Sequence, residues 1–221
     1  MKRAGLLRAG AALAAVTVAA RLVSACAGPK PATAGRSSDR AYPGVLHAPL
    51  ELSPDLVVEQ RVEATKDGRT GAFDAVLQKR GGELVVVGLG PLGARAFVLG
   101  QDGTEARFEQ RMGPPLPFPP RNVLVDVHRA FFKRLELQGG GAPPDGVHRG
   151  RLDGEDLVEV WRDGSLVERR FERPGEMEGA VRVIYGAGCR VHRCEPATIH
   201  IVNEWFAYEL KIENRRFHFF D

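Results

Sequence analysis

Catalysis leaves no trace in this sequence. There is no G-x-S-x-G elbow, Ser53, Ser165 and the few threonines fall in turns or at strand starts, and no carboxylate pair stands apart from solvated stretches such as 168–172. A nucleophile with its base is therefore not legible, and no catalytic residue is assigned. Gly88-Leu89-Gly90-Pro91-Leu92-Gly93 has G-x-G-x-x-G spacing, but 95–99 reads as a strand, so the helix N-terminus that would meet a pyrophosphate is missing. The glycines serve a tight hairpin instead. Six histidines are scattered, and Cys189, His192 and Cys194 offer too few ligands for a structural zinc, so the expectation is no metal and no cofactor. A surplus of charge is also absent. Four of the 31 basic residues precede position 26, where there is no acid, and without them 27 basic face 28 acidic residues. Whole-protein attraction to nucleic acid is thereby excluded.

What is present begins with a targeting segment. Lys2 and Arg3 open it, an apolar run covers 9–20, and Val23-Ser24-Ala25-Cys26 closes it with small residues before a cysteine. The run is too short for a comfortable membrane span. Its last four residues resemble the lipobox of bacterial lipoproteins, which implies cleavage after residue 25 and a diacylglycerol plus an N-acyl chain on Cys26. Two or more acyl chains anchor stably, at about 0.8 kcal/mol per buried methylene. An ordinary signal peptide with an incidental cysteine, or an uncleaved anchor, are the alternatives. Ala27 stands where Asp would resemble an inner-membrane retention signal, so the expected location is the outer membrane, facing the periplasm. In that oxidising compartment Cys189 and Cys194 are the remaining even pair, and a disulfide between them is expected.

Residues 26–54 are rich in Ala, Gly, Ser and Pro without apolar period and read as a flexible tether, with one domain over 55–221. Short alternating runs at 57–64, 72–79, 83–89, 95–99 and 104–110 are separated by Asp67-Gly68, Gly81-Gly82 and Asp102-Gly103, the pattern of successive hairpins. After a proline-rich break at 114–120, Val123, Val127, Phe131 and Leu135 recur every fourth residue, predicting one helix over 121–137 that ends at Gly139-Gly140-Gly141. Strands resume at 156–161, 167–171, 181–185, 198–202, 206–212 and 216–220. The fold class is mainly β with one main helix: a curved, half-open antiparallel barrel of about eleven strands whose concave face the helix covers. Phe73, Ala75 and Leu77, then Phe97 and Leu99, then Phe206, Tyr208, Leu210 and Ile212 each share a strand face. They serve either as ordinary core or, because one helix cannot fill so wide a concavity, as the lining of an apolar cavity.

Read in order, Gly90-Pro91-Leu92-Gly93, Leu116-Pro117-Phe118-Pro119, Val183-Ile184-Tyr185, Pro196-Ala197-Thr198-Ile199 and Tyr208-Glu209-Leu210-Lys211-Ile212 resemble the LolB-like family of outer-membrane lipoproteins. The resemblance runs from about Leu56 to Phe219. It implies a monomeric half-barrel whose cavity takes acyl chains of a lipoprotein or related lipid from a soluble LolA-like carrier. It also implies that an exposed leucine between the third and fourth strands, Leu92 here, inserts into the membrane with Leu89 nearby. Leu92 folded back on the rim is the alternative. The long 139–146 loop and the cysteine hairpin depart from the family pattern and leave the cargo open. Two other functions fit the same residues: a non-transporting accessory lipoprotein that binds a protein partner through the sheet, and an unrecognised hydrolase.

Overall fold

The chain enters its sheet in the middle. In the computed structural model, which describes residues 42–113, 116, 118–135, 143–174, 179–190 and 194–220, β1 (Leu56–Lys66) is a central strand. From it β2 (Arg69–Arg80), β3 (Glu83–Leu89), β4 (Arg95–Asp102) and β5 (Glu105–Gln110) run outward by hairpins to one edge. The chain then crosses to the opposite edge. It returns inward through β6 (Gly146–Leu152), β7 (Glu155–Arg162), β8 (Ser165–Glu172), β9 (Ala180–Tyr185) and β10 (Thr198–Asn203), and ends on β11 (Tyr208–Phe219), which pairs with β1. Every pairing is antiparallel, and β5 and β6 remain unjoined edges, so the expected open eleven-stranded sheet is present. Because the β5–β6 connection must cross the sheet, its helix α1 (Pro120–Val127) lies over the inward face, against residues of β1–β4, β10 and β11.

The composition of those eleven strands differs from the reading above. β6 falls where a loop was expected, because Val147, His148, Arg149 and Arg151 on an exposed edge carry no apolar alternation. Asp153-Gly154, with positive φ at both residues like Asp67-Gly68 and Asp163-Gly164, was the hairpin signal that would have found it. Conversely, 206–212 and 216–220 are one strand. The polar stretch Asn214-Arg215-Arg216 that interrupts the apolar pattern lies where the pairing with β1 shifts register, between Glu59 and Gln60. The helix is also shorter than predicted: it passes into a π turn, His128–Phe132, and Lys133 is extended.

Packing begins before Leu56. Tyr42, Leu46 and Leu52 are buried in the same core as the strands, so part of the stretch read as tether is a strap against the domain. Cys26, the targeting segment and the tether up to residue 41 lie outside the described residues. On the outward face, pairs such as Arg61–Asp74, Lys211–Glu63 and Arg216–Glu59 are half exposed and worth ~0–1 kcal/mol each. The expected Cys189–Cys194 disulfide is formed, closing the β9–β10 connection.

Candidate functional site

Register decides where space is left under the helix. One inward row across the sheet runs Leu99, Val86, Leu77, Val58, all large and buried. The next runs Phe97, Gly88, Ala75, Gln60, and in its middle the side chains almost vanish. From that second row a cavity of about 60 Å³ extends over the next two, Phe73–Val62–Ile212 and Leu210–Ile201. Phe73, Ala75, Val86, Phe97, Leu210 and Ile212 form part of its sheet wall, and Phe118 and Leu116 lie on the chain entering α1. Its roof is Val123, Val127 and Phe131, the residues whose four-residue spacing predicted the helix, together with Asp126 and Ala130.

Of the residues proposed from sequence for a cavity, Phe73, Phe97 and Leu210 line this one. Leu77 and Leu99 do not, because a step of two along a strand puts them in the neighbouring, filled row. Tyr208 does not line it either. Its ring packs on Phe118 at 4.8 Å between centroids and its hydroxyl donates to Asp126. Ala75 and Ile212, on the faces that alternation gives to Phe73 and Leu210, line it too; sequence reasoning misses Gly88, whose absent side chain makes room for the Phe97 ring, and assigns the helix stripe to packing alone.

The two polar wall residues are bonded to their neighbours. Gln60 Nε2 donates to Asn214 Oδ1 at 2.8 Å. Asp126 accepts from Tyr42 Oη at 2.5 Å, from Arg129 Nη1 at 2.8 Å, and from Tyr208 and Asn203. Asp126 thus has each carboxylate oxygen taken up twice, and the rest of the lining is apolar, so the space suits hydrocarbon and rejects charge.

Beyond Asp126 the underside of the helix turns polar. Arg129, with no exposed surface, donates to Asp126, to Glu155 Oε1 at 2.6 Å and to the Pro43 carbonyl of the strap at 2.8 Å. Burial alone would lower its pKa, but Tyr42, Asp126 and Glu155 outweigh that and raise it. Burial, reinforced by Asp126, also raises the pKa values of Tyr42 and Tyr208, so both are neutral donors. Next along, Arg169 Nε donates to Glu159 Oε1 at 2.9 Å and its Nη1 to Tyr185 Oη at 3.1 Å, while Tyr185 donates to the Ala130 carbonyl at 2.8 Å. Burial pushes the Tyr185 hydroxyl up to about 12. His128 hydrogen-bonds Gln101 Oε1 at 2.7 Å, and Gln101 Nε2 donates to the His47 carbonyl at 2.6 Å. Burial, then the nearby Lys133 charge, lowers the His128 pKa to about 3. These groups form a polar latch beneath the helix. Among the described residues no cluster of three or more His, Cys, Asp or Glu is placed to hold a metal.

The loop between β3 and β4 is built differently. Gly90 N–H donates to the Ala94 carbonyl at 2.7 Å and Gly93 N–H to the Gly90 carbonyl at 3.2 Å, which throws Leu92 outward. Leu92 is fully exposed, in the left-handed region at φ 59, ψ 22. Leu89 is half-buried on the outward face of β3, opposite Asp74 and Arg95, and Met112 is a second exposed apolar residue close to Gly90. The alternative in which Leu92 folds back on the rim is not what the structure shows.

A family model described as "Protein of unknown function (DUF3261)" matches residues 57–216. Among solved structures, the chain is similar to a domain described as an outer membrane lipoprotein-sorting protein from Vibrio parahaemolyticus, at TM-score 0.44 and 9% identity over 75% of this chain and 85% of that one. It is also similar to a LolA superfamily protein from Nitrosomonas europaea, at TM-score 0.40 and 12% identity over 79% and 90%. A DUF1329 family protein from Desulfovibrio piger gives TM-score 0.36 and 10% identity over 77% and 87%. Among proteins with curated descriptions, none matches the sequence.

Proposed function

The chain belongs to the DUF3261 family, and from its geometry we propose that it is a lipid-anchored envelope protein that holds an acyl chain of a lipoprotein or related lipid under α1 and passes it to the outer membrane. The observation that carries this reading is the cavity: an apolar space whose polar neighbours among the described residues are Gln60, bonded to Asn214, and Asp126, held by four donors. Such a space binds hydrocarbon by excluding water, at about 25 cal/mol per Å² buried. About 60 Å³ admits a few methylenes, so a longer chain requires α1 to lift. The π turn at His128–Phe132 is the natural hinge, since such irregular turns break the regular ladder. The polar latch at Arg129 and Arg169 would hold one end of the helix while Val123 and Val127 lift, a movement that also draws Asp126 away from Tyr208 and Asn203.

Transfer of this kind forms and breaks no covalent bond and uses no cofactor beyond the lipid on Cys26. That lipid tethers the protein to the outer membrane facing the periplasm, a soluble LolA-like carrier supplies the acylated cargo to the monomer, and Leu92 is the tip that meets the bilayer. The second reading, an accessory lipoprotein binding a protein partner, is favoured by the unpaired edge of β6. Lipid analysis of the purified full chain carrying Cys26→Ser, which has no acyl chains of its own, separates the two. Acyl lipid is expected to copurify at about one per chain, and loss of that lipid in Val127→Asp is expected. Copurification of a protein and no lipid would establish the accessory reading instead.

A further inference from the structure

The cavity has one wall that moves with the helix and one that does not. Along β3 the inward positions are Leu84, Val86 and Gly88, so side-chain volume falls to nothing at the cavity. Its partner across the β3–β4 register, Phe97, fills the gap. A Cβ at Gly88 would overlap the Phe97 ring, with Cδ1 only 2.6 Å away, so the ring lies flat on the strand backbone. Phe73 holds it edge-on at 5.4 Å and Phe108 supports it at 6.0 Å. The opposite face of the ring looks into the cavity.

We propose that Phe97, seated on Gly88, is a fixed stop that sets how much of an acyl chain the cavity accepts, making these two residues the determinants of chain length. The proposal rests on the acyl-binding reading above. Its logic is mechanical. Val123 and Val127 ride on α1, which lifts about the π turn, whereas the Phe97 ring has sheet backbone behind it and an aromatic ring on each flank. A chain that enters can displace the roof but not this wall. The glycine at 88 is therefore a device for seating an aromatic ring, and only Gly93 of the three spaced glycines takes up a positive φ for the turn.

The test is competition by straight-chain fatty acids of graded length against a fluorescent fatty acid, on the full chain carrying Cys26→Ser, with thermal melting of each variant alongside. Phe97→Leu and Phe97→Ala should move the preferred length upward, by about two to four carbons for the alanine, whose vacated space approximates that of the lost ring. Gly88→Ala should lift the ring into the cavity and move the preference downward, or weaken the longest chains about tenfold. If Gly88→Ala melts too early to assay, the double variant Gly88→Ala/Phe97→Leu removes the overlap and should restore binding with a preference near that of the parent. An identical length profile in the parent, Phe97→Leu and Gly88→Ala overturns the stop while leaving acyl binding intact. A parent that binds no chain of any length overturns both.

Discussion

One short helix covers two different kinds of floor. Towards β1–β4 it rests on rings and methyl groups around a void; towards β7–β9, and at the His128–Gln101 hydrogen bond past the void, it is tied down by buried polar groups. Apolar contacts are non-directional and can reform after a slide, whereas a buried ion pair tolerates little displacement before a charge is left without its partner. The contrast teaches that the helix is fastened on one side and loosely seated on the other, as a flap over a hydrocarbon site needs to be.

The comparison breaks most severely at Arg129. Arg129→Met leaves Glu155 Oε1 and the Pro43 carbonyl without their donor in a dry interior. A loss of about 3–5 kcal/mol is expected, read as a lower urea midpoint. Removing apolar contact on the other side, by Val127→Ala, should cost about 1–2 kcal/mol, since the valine already borders open space. Equal losses at the two positions would mean that the helix is seated uniformly.

Acid should attack the latched side next. His128 has its pKa lowered by burial and by Lys133 to about 3, against an unfolded value near 6.5. Between those values the unfolded chain binds the extra proton and the folded chain does not, so this contribution is complete above about pH 6.5 and is lost as the pH falls towards 3. Stability should decline by a few kcal/mol over that window. His128→Gln keeps a donor towards Gln101 and should flatten this part of the pH profile; an unchanged profile would place the acid sensitivity elsewhere.

How much of this contrast could be read in the sequence follows the same division. The apolar side was largely legible: alternation placed Phe73, Phe97 and Leu210 inward, and four-residue spacing gave the helix stripe. Its row structure was not, because register comes from pairing, and pairing made Leu77 and Leu99 core residues, left Ala75 beneath the void and put Gly88 beneath the Phe97 ring. The latched side was nearly invisible. Arg169 lies in a stretch that reads as a solvated charged face, yet it is buried against Glu159, and Tyr42 belongs to a stretch that reads as linker. Charged residues enter a core only when partners from distant strands meet them there, and Arg129–Glu155 or Tyr42–Asp126 leave no local pattern. The one local signal was Asp126 three residues before Arg129, both on an otherwise buried face.

Filling the loose side should have a smaller energetic effect than either change above. Ala75→Val places two methyl groups in the empty row, where the gain in contact and any crowding nearly offset, so stability should change by no more than ~1 kcal/mol. Acyl-probe affinity should nevertheless fall about tenfold, equivalent to ~1.4 kcal/mol of binding. A fluorescence titration beside a urea melt checks both. Undiminished binding would mean that hydrocarbon lodges somewhere other than this row.

The smallest effect on stability and the largest on delivery are expected at the same residue. Leu92 contributes no burial, since it is fully exposed, and its left-handed backbone is one that a branched side chain adopts at a cost of about 1 kcal/mol. For folding alone, glycine would be the better choice. Leu92→Gly should therefore raise stability by about 0.5–1 kcal/mol, offset in part by the greater freedom of glycine in the unfolded chain. Leu92→Glu should melt within ~0.5 kcal/mol of the parent, because the site is solvent. At a bilayer the ranking reverses: leucine gains roughly 1.5–3 kcal/mol on leaving water, glycine gains almost nothing, and glutamate costs several kcal/mol. Transfer of a labelled lipoprotein to liposomes should consequently slow in Leu92→Gly and stop in Leu92→Glu, while acyl-probe binding stays at the parental level in both. Parental delivery by Leu92→Glu would show that the exposed leucine is not the point of contact with the membrane, and the unpaired edge of β6 would become the better candidate for the working surface.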